Sequence, residues 1–256
     1  MKMIKISMLA LALAGVSGMA QATVYSGVSD GTYVVVGGAS GSTVDDHGGQ
    51  AGDPAIGVKA FYNGARVSFE GLQGMGATTG TGTAADPKLT RITTAMMPPS
   101  HASLGYFNFA QVGAQSVYFG EWSNTGSSAS PQHTVYYAGE AGNVASTLPS
   151  GTATYSVKSI NNAYSGSGAS LPNSVLTANF GAYTASSTGD INFSAGTISV
   201  NGDRVQLGAN GVSVTSVAGS NGTLAGDFFG TGASAVAGTV TFTDRSKDTA
   251  FGGSKN

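Results

Sequence analysis

Cysteine is absent from all 256 residues. That excludes disulfides, thiolate metal ligands and cysteine nucleophiles, and it removes the residue on which a bacterial lipoprotein is acylated. Charge is scarce too: charged residues make up 9% of the chain, with 11 basic against 13 acidic side chains. A nucleic-acid-binding surface needs a basic face, and none can be assembled from so few lysines and arginines. The one long apolar run, Met8 to Val16, falls short of the ~20 residues that span a bilayer, so no membrane-spanning helix is expected. Also missing are HExxH, GxSxG and GxxxxGK[ST] phrases, and the GxG runs lack the strand-to-helix context of a phosphate loop. The expectation is a protein that is not an enzyme.

What is present begins with an export signal. Lys2 and Lys5 precede the apolar run, and Ala20-Gln21-Ala22 forms an A-x-A cleavage site, so residues 1–22 read as a signal peptide. The mature chain then starts near Thr23 with nine basic and 13 acidic side chains, a net charge of −4. With no cysteine to acylate, it is expected to pass through the periplasm and be secreted as a soluble, extracellular monomer. A change of composition at Ala141 to Pro149, rich in small residues, divides it into an N-terminal domain at 23–145 and a C-terminal domain at 146–256.

Glycine, 40 residues in all, punctuates the C-terminal part. Gly151–Ile160, Ser174–Thr184, Ile191–Phe193, Gly196–Val200, Arg204–Leu207 and Gly211–Val217 are short runs rich in Thr, Val and alternating apolar residues. They are separated by NG, GAN and GSNG turn signals. Leu224 to Phe242 adds two strands and their connection, and Asp248–Lys255 closes the chain. About eight antiparallel strands in some hundred residues is the number at which a sheet closes into a side-chain-filled barrel. The fold class read from this is all-β: a β-rich N-terminal ligand-binding domain with long loops, then an eight-stranded antiparallel β-barrel. Phe228, Phe229 and Phe242, the bulkiest apolar residues of the closing strands, are expected to be buried.

The order GTATYS, LTANFG, LAGDFFGTGASAVAGTVTF and AFGGSK resembles the C-terminal barrel of the hemophilin-like and transferrin-binding-protein-like secreted proteins of Gram-negative bacteria. The resemblance covers about 110 residues, most specifically DFFGTGASAVAG and the terminal AFGG. It implies export by a Slam-type outer-membrane translocator that recognises the barrel. It also implies a small N-terminal domain that holds haem, with histidine among the ligands.

The N-terminal half carries the only tryptophan and all three histidines. Gly31–Gly37, Ile56–Glu70 (two strands joined at Asn63-Gly64), Tyr106–Phe109, Val117–Trp122 and His133–Tyr137 read as strands. Between them lie two long irregular segments, Gly38–Pro54 and Gly71–Leu104, the kind of loop that is usually functional or disordered. Each contains one histidine, His47 in DDHGG and His101 in MMPPSHASLG. Two histidines from separate loops can supply both axial ligands of a haem iron, and both are the candidate metal ligands. Met96, Met97, Tyr106, Phe107, Phe109 and Tyr118 are candidates to cover the macrocycle, and Lys59, Arg66, Lys88 and Arg91 to meet its propionates.

Read alone, either histidine is as well a solvated loop residue, and the aromatic strands are ordinary core. His133, at a strand start, reads as structural. Under the resemblance the favoured function is a secreted haem-binding hemophore that delivers haem to a TonB-dependent outer-membrane receptor. The alternative is a host-colonisation or protein-interaction factor of the same family with no cofactor. The choice among iron haem, another metalloporphyrin and a corrinoid is open at this level.

Overall fold

A computed structural model describes residues 23–41, 49–162 and 170–256. The signal-peptide assignment and His47 lie outside the described residues. In chain order the first strands are β1 (Val24–Val28), β2 (Val34–Gly38), β3 (Pro54–Val58) and β4 (Val67–Ser68). A short helix α1 (Phe69–Met75) follows, then β5 (Ala77–Thr79), β6 (Leu89–Ile92), β7 (Tyr106–Gln111), β8 (Val117–Ser123) and β9 (Thr134–Glu140). The remaining strands are β10 (Thr152–Ile160), β11 (Asn173–Asn179), β12 (Thr184–Gly189), β13 (Ile191–Asn201), β14 (Arg204–Val214), β15 (Gly219–Phe229), β16 (Ala235–Thr241) and β17 (Thr249–Lys255).

The last eight strands form a closed barrel in which every neighbour in sequence is a neighbour in space, and β10 pairs with β17 to close it. Closure leaves no unpaired edge. The expected all-β class and eight-stranded barrel are therefore present, with different strand limits. The runs at 191–193 and 196–200 are one strand, β13, which keeps a single register with β14 from Ile191 opposite Val214 to Asn201 opposite Arg204. The run at 204–207 and the first part of that at 211–217 are likewise one strand, β14, irregular near Gly211, where φ is +67°, and residues 215–217 form a 3₁₀ turn. The run at 174–184 covers β11 and the turn after it, where Tyr183 takes a left-handed φ of 56°, and reaches only the first residue of β12.

The N-terminal part is a six-stranded sheet in the order β1-β9-β8-β7-β6-β5, with a separate three-stranded sheet β2-β3-β4. The two faces of the larger sheet are read off β8 and β9, which alternate cleanly. Val117, Phe119, Val135 and Tyr137 join Phe229, Ala235, Ala237 and Ala250 of the barrel in one buried cluster. Tyr118, Trp122, Tyr136 and Ala138 point the other way and pack with Phe69, Phe107 and Phe109 and with Val34, Ile56 and Val58 of the small sheet. Because both faces are covered, every residue of β8 is buried.

This arrangement explains why the closing barrel strands are built of glycine and alanine. Ala235, Ala237, Ala250 and Gly252 face outward, and a Cβ on Gly252 would stand 2.4 Å from the Phe119 ring. Aromatic residues of the sheet can come down onto the barrel only where it presents no bulk. Phe228 and Phe229 are fully buried, as expected, but on opposite sides: Phe228 points into the barrel and Phe229 out of it, edge-on to Tyr137. Phe242 departs from the expectation and is half-buried, lying over Gly219 and Gly222. The segment between the two sheets is packed as well, with Val144 buried in the barrel core.

Gly71–Leu104, expected to be irregular, is mostly structured. It holds the rest of α1, β5, β6 and two 3₁₀ turns, Thr94–Met96 and Pro99–Leu104. The second half of the predicted Ile56–Glu70 hairpin is also cut short: only Val67 and Ser68 are strand. Ser68 accepts a hydrogen bond from the Gly71 amide at 3.0 Å and starts the helix as its N-cap.

Candidate functional site

Between the small sheet, α1 and the two 3₁₀ turns lies a cavity of about 560 Å³, within the range of small-molecule and cofactor pockets, roughly 300–1,000 Å³. Ile56 and Val58 of β3, Phe61, Leu72 of α1, Ile92 of β6 and Phe107 of β7 supply most of its apolar wall. Met97, Pro98, His101 and Leu104 close it from the side of the turns, and Ser40, Gly41 and Arg66 from the end of β2. Among the described residues no acidic side chain lines it.

His101 is placed by its turn. Pro98, extended at φ −58° and ψ 154°, leads into Pro99, whose fixed φ suits the first position of a helical turn. The His101 amide donates to the Pro98 carbonyl at 2.8 Å. At the other end Gly105 has φ +81°, and a Cβ there would stand 2.7 Å from the Ser123 carbonyl oxygen. Trp122 donates its indole Nε1–H to the Leu104 carbonyl at 2.7 Å, tying the turn to the central strand β8. The His101 ring sits 5.0 Å from the Phe61 ring at 50°. Its Nδ1 is 2.9 Å from Ser100 Oγ. In the tautomer where Nδ1 donates to that hydroxyl, the Nε2 lone pair is free to bind a metal.

Of the other residues expected at the site, Met97 and Phe107 are on the cavity wall with His101. Met96 is 46% exposed and off the wall. Tyr106 is also off the wall: its hydroxyl accepts from Thr94 Oγ1 at 3.2 Å, bracing the turn that carries Met97. Tyr118 is core, stacked on Phe69 at 5.0 Å, and burial pushes its phenol pKa upward. Phe109 is core too, tilted against Phe69. His47 lies outside the described residues, in a segment that leaves the described chain at Gly41, itself in the wall.

Ile56, Phe61, Leu72 and Ile92 escaped the reading of the sequence as site residues. The run IGVKAFYNG was legible as a strand and turn, but only the packing of α1 opposite β3 makes its apolar face a cavity wall.

His133 is fully buried on the barrel face of the sheet. Its Nε2 lies 3.0 Å from Glu121 Oε2, its Nδ1 3.1 Å from the Arg245 carbonyl, and its own carbonyl accepts from Arg245 at 2.8 Å. It joins the sheet to the barrel and is not part of the cavity.

The cavity fits a haem in its chemistry: apolar and aromatic walls, a nitrogen donor, and space of the right order. Among the described residues no group of three or more His, Cys, Asp or Glu is placed to hold a bare metal ion. A porphyrin brings its own four nitrogens and asks the protein only for axial ligands.

Comparison with known proteins gives two family matches in tandem. Residues 19–134 match the model of the HphA N-terminal heme-binding domain, and residues 144–255 that of the HphA C-terminal domain. Among solved structures, the haemoglobin receptor HpuA from Kingella denitrificans in its apo form aligns at 18% identity. It covers 93% of this chain and 88% of HpuA with a TM-score of 0.55. HpuA in complex with human haemoglobin aligns over the same shares with a TM-score of 0.56. A transferrin binding protein B mutant from Haemophilus parasuis Hp5 aligns at 8% identity over 87% of this chain and 45% of its own, with a TM-score of 0.44.

Proposed function

Since the chain belongs to the hemophilin (HphA) family, matching its heme-binding and C-terminal domains in turn, we propose that it is a secreted hemophore whose haem sits in the cavity beside His101. Haem is the ligand of the family's N-terminal domain; when bound it supplies an iron that needs axial donors and a flat apolar body that needs cover. The observation that carries the reading is the position of His101 in the wall of an apolar cavity of about 560 Å³, held by a turn pinned to β8.

In this reading His101 Nε2 ligates the iron while Ser100 holds Nδ1, and Phe61, Met97 and Phe107 cover the macrocycle. His47 is proposed as the second axial ligand, on the grounds of chain continuity with Gly41. Residues 1–22 direct export to the periplasm, the barrel is what a Slam-type translocator recognises, and a TonB-dependent receptor takes delivery. The role is binding and transfer, without catalysis. Among the described residues no helix is long and apolar enough to cross a membrane.

The test is a haemin titration of the purified full chain followed in the Soret region. One equivalent should bind with a six-coordinate, low-spin spectrum, and His101→Ala should bind more weakly and turn high-spin. His47→Ala should do the same, while His133→Ala should leave the spectrum unchanged. A chain that stays colourless with excess haemin favours the cofactor-free interaction factor, and an unchanged Soret band in the His47→Ala/His101→Ala double variant removes both histidines as ligands.

A further inference from the structure

We infer that Arg66 is the residue that selects the ligand of this cavity, by taking a carboxylate of the bound porphyrin and so fixing its orientation. The inference rests on the haem reading above and adds what that reading leaves open: which chemical group distinguishes the true ligand from other flat apolar molecules.

Four cations were candidates by sequence, and the fold separates them. Lys59 and Lys88 are exposed, Arg91 on β6 is outside the lining, and of the four only Arg66 is in it. Among the described residues it is the one charged side chain there. Its position is held at both ends. The Arg66 amide donates to Ser40 Oγ at 3.0 Å, and the Ser40 amide returns a bond to the Arg66 carbonyl at 3.1 Å. At the tip, Nε donates to the Gly38 carbonyl at 2.5 Å. Fixing Nε fixes the plane of the guanidinium, which leaves the Nη groups as donors in a set direction.

Those Nη groups have no acidic partner among the described residues: the ion pairs found there join His133 to Glu121, Arg204 to Asp227 and Arg245 to Asp30. A half-buried guanidinium against an apolar wall is costly to leave without an anion and is well suited to receive one. The cavity therefore pairs a nitrogen donor at His101 with an anion receptor at Arg66 in otherwise apolar surroundings. A tetrapyrrole with acid side chains meets both demands. An esterified or carboxylate-free porphyrin meets only the first.

The experiment measures dissociation constants of haemin and of its dimethyl ester for the wild-type full chain, Arg66→Gln and Arg66→Lys, with circular dichroism to confirm folding. Wild type should prefer haemin to the ester by roughly ten- to a hundredfold, the weight of a charge-assisted hydrogen bond or two. Arg66→Gln should lose that preference while binding the ester as wild type does. Arg66→Lys, which keeps charge but not the planar fork, should fall between. The inference is overturned if Arg66→Gln retains the full preference for haemin, or if wild type binds both alike. If wild type binds neither, the haem reading itself fails, which is a distinct result.

Discussion

Asp227 is fully buried on β15, between barrel and sheet, and two side chains converge on it. Arg204 of β14 donates to its two oxygens at 2.6 and 2.7 Å, and Tyr137 of β9 donates its hydroxyl at 2.6 Å. Arg204 also lies over the Tyr25 ring of β1 at 5.3 Å, so the cluster ties the β1–β9 edge of the N-terminal sheet to the barrel. The hydrogen bonds to Asp227 hold the Arg204 proton more tightly, and burial, then the neighbouring carboxylate, raises the Tyr137 phenol. The two partners of the ion pair differ in one respect that matters: Arg204 is 33% exposed and Asp227 is 0% exposed.

Removing one partner of a buried pair costs about 3–5 kcal/mol, mainly because the other is left charged and dry. Arg204→Met strands a carboxylate that water cannot reach and should cost about that much. Asp227→Asn leaves a cation that water can partly solvate, and the amide oxygen still accepts one hydrogen bond. Its cost should be smaller, about 2 kcal/mol. Tyr137→Phe, the loss of one hydrogen bond to a charged group, should cost about 1.5 kcal/mol. The double variant Arg204→Met/Asp227→Asn should be milder than the sum of the single changes. Urea unfolding with linear extrapolation gives the numbers, Trp122 fluorescence reporting the sheet and circular dichroism the whole chain. The reasoning is refuted if Arg204→Met costs no more than Asp227→Asn, because solvent access to the residue left behind would then not be the deciding term.

Phe228→Ala should destabilise the barrel by about 3–5 kcal/mol, and Phe242→Ala by clearly less since it is only half-buried; equal losses in thermal unfolding would contradict the assigned packing. Gly105→Ala should strain a left-handed position by about 1–3 kcal/mol and push the new Cβ against Ser123, shifting the turn that carries His101. Faster haem loss with barrel stability intact is the expected signature, and an unchanged dissociation rate would show that the turn does not set the ligand. Burial raises the Asp248 carboxyl above its ordinary value, against the opposing pull of the Phe242 amide and of His133 and Arg245. The native state thus holds that proton more tightly than the unfolded chain, so its contribution to stability grows as pH falls towards the ordinary carboxylate range and is lost as pH rises through the native value. Compared with Asp248→Asn, wild type should gain stability on acidification, and parallel pH profiles of the two would remove Asp248 as the source.

Much of this protein was readable from local signals. Most of the barrel strands show because period-2 alternation and NG-type turns are properties of a few adjacent residues, whereas β12, built of Thr, Ala, Ser and Gly, gives no such pattern. The aromatic strands β7, β8 and β9 show for the same reason, and His101 stood out because it follows two prolines in a segment too long to be a simple connection. What stayed hidden depends on contacts between residues far apart in the chain. Nothing local joins β1 to β9, whose pairing sets Val24 beside Glu140. Nor does the sequence say that Phe228 and Phe229 face opposite ways into different cores, or that Gly252 is bare because Phe119 lies on it. Helix α1 was missed because its seven residues give too few turns for a helical period to emerge. The sorting of the site residues is of the same kind. Met97, Phe107 and Arg66 reach the cavity while Met96, Tyr106, Tyr118 and Lys59 do not, because neighbours in sequence point to opposite faces of a strand or turn. Composition and spacing determined that there would be a barrel, an aromatic sheet and a histidine beside it. Only the packing of α1 and the turns against β3 decided that these enclose a cavity with a nitrogen donor and a cation in its wall.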